Sequence, residues 1–192
     1  MTYKTAISIT AILLFSACQT AGNMAAAQSI KSDEDIATCI RTVMTLEEGR
    51  WNYMGTIAQV YGKFRTYEAV IVNAAAGDDM WSSKAFGGDV GGDEKTAELG
   101  YNKLIGTSLV SMDGGVPNEP EAHKIKSCVG PDPEGRYEIK QEYKMPNGKG
   151  GYVTAQNMTW YSEHGSYYAE DVYNEDGRIT SRRSGVYTPS TE

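Results

Sequence analysis

From Arg136 to Thr188 apolar and polar residues alternate with a period of two, the repeat of a strand with one buried face. Tyr137, Ile139, Tyr143 and Met145 share one side of the first such run, and Arg136, Glu138, Lys140, Glu142 and Lys144 share the other. Pro146-Asn147-Gly148 then supplies a turn in which Asn and Gly tolerate positive φ, and residues 152–161 return rich in aromatic and β-branched side chains. His164-Gly165 and Glu175-Asp176-Gly177 bound two further runs, 167–174 and 178–188, the last stopping before Pro189. Four strands joined by short turns predict an antiparallel meander.

Upstream the period changes. Ser32 precedes Asp33-Glu34-Asp35, a good N-cap followed by acids at the positive end of a helix dipole. Ile36, Cys39, Ile40, Val43 and Met44 then recur at helical spacing, with Gly49 where a C-terminal cap belongs. The pattern predicts a helix over 33–48 with Cys39 on its buried stripe, covering one edge or end of a sheet.

Residues 51–60 and 64–73 read as strands around Gly62, and 80–86 as a third, followed by a flexible glycine-rich loop over 87–93. Between Glu94 and Asp113, Ala97, Tyr101, Leu104 and Ile105 fit a helix face, but Gly100 and Gly106 weaken it and 107–112 is strand-like, so two strands are expected. Another strand falls near 122–129. About ten short strands with regular turn signals predict an all-β chain behind one N-terminal helix, closed as an antiparallel up-and-down barrel or stacked as a sandwich. A barrel removes its own edges, and its interior is filled by side chains or holds one small ligand. At 192 residues a single domain is expected, with residues 28–49 packing on a barrel formed by 50–188.

The N-terminus adds a compartment. Lys4 and the apolar run from Ala6 to Ala17 read as an export signal, too short to remain across a bilayer. Ala25-Ala26-Ala27 before Gln28 fits ordinary cleavage, making 1–27 a signal peptide, whereas Leu14-Phe15-Ser16-Ala17-Cys18 resembles a lipobox that would remove 1–17 and lipidate Cys18. Membrane anchoring follows only from the second route; both predict export, to a bacterial periplasm, the outer membrane as a lipoprotein, or the medium. Either route leaves Cys39 and Cys128, which form a disulfide in an oxidising compartment or pack as two small buried thiols. Loss of Lys4 takes the formal charge from −7 to −8, and an acidic chain without a basic run argues against nucleic acid.

Candidate chemistry is sparse. No nucleophile elbow, paired acid and base, phosphate-cradling glycine loop or metal-ligand spacing occurs, so no catalytic residue, metal or cofactor is predicted. The acidic clusters Asp78-Asp79, Asp89 with Asp93, and Asn174-Glu175-Asp176 lack the ligand alternation of a calcium loop and read as solvated turns. His123, beside Glu121 and Lys124, reads as surface. Trp51, Tyr53, Tyr67, Trp81, Trp160 and Tyr168 supply rings for a cavity that would accept a small apolar ligand, or for a filled aromatic core. His164, in a turn with Glu163 and within reach of Asp171, is the one candidate for a barrel-mouth catalytic pocket.

Leu46-Glu47-Glu48-Gly49-Arg50-Trp51, Leu99-Gly100-Tyr101-Asn102, and Asp176-Gly177 before a strand ending in Tyr187 together resemble the calycin superfamily of lipocalin-like barrels. Within it they are similar to a bacterial family of uncharacterised calycin-like barrels catalogued as a domain of unknown function, which has Asp where this chain has Asn102. The resemblance covers most of 44–188 and implies a fold rather than a chemistry. It also implies that an arginine of the last strand packs on the first-strand Trp51, a role that falls to Arg183. Some barrels of the superfamily hold haem iron through one histidine, which would cast His164 as a ligand.

Overall fold

The computed structural model describes residues 32–60, 62–93 and 95–191. The signal segment and Cys18 lie outside the described residues. Helix α1 (Asp33–Leu46) leads into β1 (Gly49–Gln59), β2 (Phe64–Gly77), β3 (Met80–Asp89), β4 (Thr96–Ile105), β5 (Ser108–Asp113), the short β6 (Val116–Pro117) and a 3-10 turn at Glu119–Glu121. Then follow β7 (His123–Val129), β8 (Tyr137–Pro146), β9 (Tyr152–Ser162), β10 (Gly165–Tyr173) and β11 (Ile179–Pro189). Each long strand pairs antiparallel with its neighbours in sequence, β5 passes to β7, and β11 returns to β1. The result is a closed, ten-stranded up-and-down barrel with one N-terminal helix. Among the described residues no helix is long and apolar enough to cross a membrane.

The helix begins where its chemistry says it should. The Ser32 hydroxyl accepts the Asp35 backbone N–H at 3.1 Å, and the Asp35 carboxylate accepts the Ser32 N–H at 3.3 Å, a reciprocal capping box. Its apolar face buries Ala37, Cys39, Ile40 and Val43 against Trp81, Leu104, Ile125, Cys128 and Ile139, sealing one end of the barrel. Three tethers hold it there. Cys39 is disulfide-bonded to Cys128 of β7, with the Cα atoms 6.1 Å apart. Arg41 donates twice to Asp79 in the β2–β3 turn, at 2.7 and 3.0 Å. The Trp51 indole N–H donates to the Glu47 carbonyl at 2.8 Å, tying the first strand to the end of the helix.

The stretch 87–93 departs from the loop expected of it. Strand β3 continues to Asp89, and Gly87 sits opposite Ala69. A Cβ on Gly87 would overlap the Glu68 carbonyl and Ala69, so here glycine permits close strand contact rather than flexibility. The acidic clusters are likewise used structurally: Asp79 holds Arg41, Asp89 accepts Arg65 at 2.6 and 2.8 Å, and Asn174 Oδ1 accepts the N–H groups of Asp176 and Arg178.

Register fixes what faces inward. Trp51 lies opposite Ile71 on one side and Pro189 on the other, and Arg183 lies opposite Ile57, three inward positions further along β1. The stacking of Arg183 on Trp51 implied by the calycin resemblance is therefore replaced: Trp51 is buried beneath the end of α1, and Arg183 meets Glu170 instead.

Candidate functional site

Cross-strand rows build the barrel wall. One runs Ile139, Thr159, Tyr168, Gly185 and Gly55 across β8, β9, β10, β11 and β1; the next runs Gln141, Asn157, Glu170, Arg183 and Ile57. The paired glycines of the first row make room for rings. A Cβ at Gly185 would overlap both Tyr53 and Tyr168, and one at Gly55 would overlap the Tyr53 hydroxyl. The two tyrosines lie 6.2 Å apart, near parallel, and share a 2.8 Å hydroxyl–hydroxyl hydrogen bond. Tyr187 and Tyr67 close on Tyr53 at 4.8 and 6.1 Å.

The second row is polar and opens onto a cavity of about 340 Å³, in the lower range of small-molecule sites. Its wall comprises Asn73, Trp81, Ser83 and Asn102 from β2–β4, Gln141, Tyr143, Asn157 and Tyr161 from β8 and β9, and Tyr168, Glu170, Arg183 and Tyr187 from β10 and β11. Met44 and Glu47 reach it from the end of α1. Hydrogen-bonding side chains outnumber hydrocarbon ones, so the apolar lining expected of such a barrel gives way to a polar one.

Glu170 is the centre of this wall, 5% exposed. The Tyr143 hydroxyl donates to its Oε2, and Arg183 Nη1 lies 3.3 Å from its Oε1. That ion pair is poorly aligned. Among the described residues neither Glu170 Oε1 nor Arg183 Nε has a hydrogen-bond partner, a costly arrangement for buried groups. Burial, then the Glu170 charge, raises the Tyr143 hydroxyl well above its ordinary pKa. The ring of Tyr143 stacks on His123, with centroids 3.8 Å apart and planes 6° apart. His123 Nδ1 lies 3.3 Å from Gln141 Oε1, and burial lowers the imidazole pKa. His123 is thus half-buried and pairs across β7 and β5 with Leu109, not on the surface as its charged neighbours suggest.

Glu47 forms the cavity's other acidic point. Ser166 Oγ donates to it at 3.3 Å, and burial pushes its carboxyl up to about 7.

The aromatic residues singled out by sequence divide four ways. Trp81 and Tyr168 line the cavity, Tyr53 and Tyr67 stand in the tyrosine cluster beside it, and Trp51 anchors the helix. Trp160 is turned the other way, since Thr159 and Tyr161 on either side face in; it stacks on Tyr167 at 5.6 Å on the outer surface. His164 is also external, its side chain 83% exposed and 3.4 Å from Glu163, in a separate surface cleft with Trp160 and Arg136. It does not line the cavity, so the haem-ligand and barrel-mouth roles weighed for it have no footing in the interior. Sequence reasoning passed over Glu47, Asn157 and Glu170 as site residues and gave Arg183 only a packing role on Trp51. The signal was there: Gln141 interrupts the apolar face of Ile139 and Tyr143, and Asn157 occupies the matching place on β9.

No protein-family model and no curated protein matches the chain. Solved structures do resemble it in shape. An S-type phycobiliprotein lyase, CPES, from Guillardia theta aligns with TM-score 0.57 and 6% identity over 84% of this chain and 99% of that one. Rv2717c from M. tuberculosis aligns with TM-score 0.58 and 11% identity, covering 79% and 97%. A Nostoc punctiforme protein of unknown function from the DUF3598 family aligns with TM-score 0.50 and 9% identity, over 77% of this chain and 48% of that one. At these identities the likeness supports the closed antiparallel barrel fold and no chemistry.

Proposed function

We propose that this protein is a non-catalytic carrier that binds one small molecule inside the barrel. The observation that carries the reading is the 340 Å³ cavity, on whose wall Glu170, Arg183, Tyr143, Gln141 and Asn157 converge. Polar groups are costly to bury in a barrel that needs only to be filled, and two of these atoms remain unpaired. Rings and hydrogen-bonding groups side by side favour a ligand with a flat or aliphatic body and polar ends over a purely apolar one. That a similar barrel belongs to a phycobiliprotein lyase supports a small-molecule role for such a scaffold at the level of fold alone.

The carrier works outside the cytoplasm. Support comes from the signal-like residues 1–27 and from Cys39 and Cys128, a pair suited to an oxidising compartment. N-terminal mass analysis decides between release at Gln28 and lipidation at Cys18. Native mass spectrometry of protein from its own source tests the binding itself, with excess mass as the expected result. A bare chain mass, together with no thermal stabilisation by lipids, haem or metabolites, overturns the carrier and leaves a structural barrel.

A further inference from the structure

The two carboxylates of the cavity are not equivalent. Glu170 has Arg183 beside it and Tyr143 bonded to it. Among the described residues Glu47 has only the Ser166 hydroxyl, and no cation is among the groups that shape its titration. It stands at the C-cap of α1, the negative end of the helix dipole, and the last turn carries no basic residue. Among the described residues no cation pairs with Glu47 at this end of the cavity. Tyr161 and Tyr187 lie close enough that the Glu47 charge raises both hydroxyls, after burial, above their ordinary pKa. Trp81 and Tyr168 complete an aromatic wall around the same space.

A carboxylate without a cation, a helix C-terminus and several ring faces form the setting in which ammonium groups are held, by charge and by cation–π attraction together. Resting on the carrier reading above, we propose that the ligand is a small organic cation, with its charged nitrogen at Glu47 and its aromatic or aliphatic body between Trp81 and the tyrosines. Arg183 does not oppose this, because Glu170 neutralises it at 3.3 Å. With the cavity empty, burial keeps much of Glu47 protonated near neutrality, and an arriving cation draws the proton off. The groups facing Glu47 are Ser166 on β10, Tyr161 on β9 and Tyr187 on β11, with Glu170 and Arg183 further along the wall. All three neighbours are uncharged at neutral pH, so the proton comes from Glu47.

Isothermal titration of the mature chain with three indoles of similar size separates the outcomes: tryptamine, a cation; tryptophol, neutral; and indole-3-acetate, an anion. Tryptamine is expected to bind about tenfold or more tightly than tryptophol, with indole-3-acetate weakest. Its binding should release close to one proton at pH 6 and much less at pH 8.5, read from the heat in buffers of different ionisation enthalpy. Glu47→Gln should lose the preference for tryptamine, whereas Arg182→Ala, on the outer face, should keep it. Equal binding of all three, or an unchanged preference in Glu47→Gln, overturns the cation while leaving the carrier standing. If none binds, the cation is overturned and the carrier is judged separately by the native mass and thermal-shift panel.

Discussion

The interior of this barrel is two different materials. Beneath α1 it is dry and closed, with Ile40, Val43 and Cys128 almost wholly out of water and Leu104, Ile125 and Ile139 packed against them. A few residues further along the same strands it becomes polar and open, with Gln141 following Ile139 on the inner face of β8 and Asn157 next to Thr159 on that of β9. The first region follows the rule that burial of hydrocarbon stabilises. The second breaks it at a cost in unpaired polar atoms, and departures of that kind collect where a protein binds something. Stability should therefore depend on the sealed end, and binding on the open one.

The largest expected effect lies at the sealed end. The disulfide joins residues 89 apart in sequence, and in the chain-entropy model it contributes about 4.5 kcal/mol. Cys39→Ser with Cys128→Ser should lower the urea-extrapolated stability by about that amount. Trp51→Ala comes next, at about 3 to 4 kcal/mol in the same melts, since it leaves a cavity under the helix and removes the bond to the Glu47 carbonyl.

Two adjacent arginines then probe the boundary between inside and outside. Arg183→Ala leaves Glu170 buried without its cation and should cost about 3 kcal/mol. Arg182→Ala removes an exposed pair with Asp171 and should stay within about 0.5 kcal/mol of neutral. Comparable losses at the two positions would mean that the polar interior has no special electrostatics.

Glu47 sits where the regions meet, and its effect changes sign with function. Its folded pKa, about 7, lies above the ordinary carboxylate value of 4.5, so the folded state holds the proton more tightly than the unfolded one. That contribution is fully present below the unfolded value and is lost as pH rises through the folded one. Glu47→Gln resembles the protonated form. It should be neutral at pH 4 and stabilising by about 3 kcal/mol at pH 8, while it weakens cation binding. A loss of stability at pH 8 would place the carboxylate in water.

The barrel was legible in the sequence because its signals are local: alternation in β8–β11, turn residues between them, and a capping box ahead of α1. Residues 96–105 came out as strand for the same reason, with Gly100 unfavourable to a helix. The site was less legible, because it depends on register. Trp160 has the composition of a cavity residue, and only its place between the inward Thr159 and Tyr161 turns it outward. His123 carries charged neighbours, and only the pairing of β7 with β5 and β8 brings it onto Tyr143. Glu170 and Arg183 are thirteen positions apart in the chain and become partners through one rung of the β10–β11 ladder. Helix-end Glu47 needed the docking of α1, a contact between elements that no local pattern encodes.

The three tryptophans of the chain report on the three environments at once: Trp51 under the helix, Trp81 on the cavity wall and Trp160 on the outer surface. Titration with a compound that stabilises the protein, followed through the indole N–H resonances in nitrogen-15 NMR, reads all of them in one experiment. A carrier with its ligand inside the barrel shifts Trp81 strongly and leaves Trp160 where it was. Movement of Trp160 with Trp81 unchanged would put binding on the outside of the barrel and contradict the account.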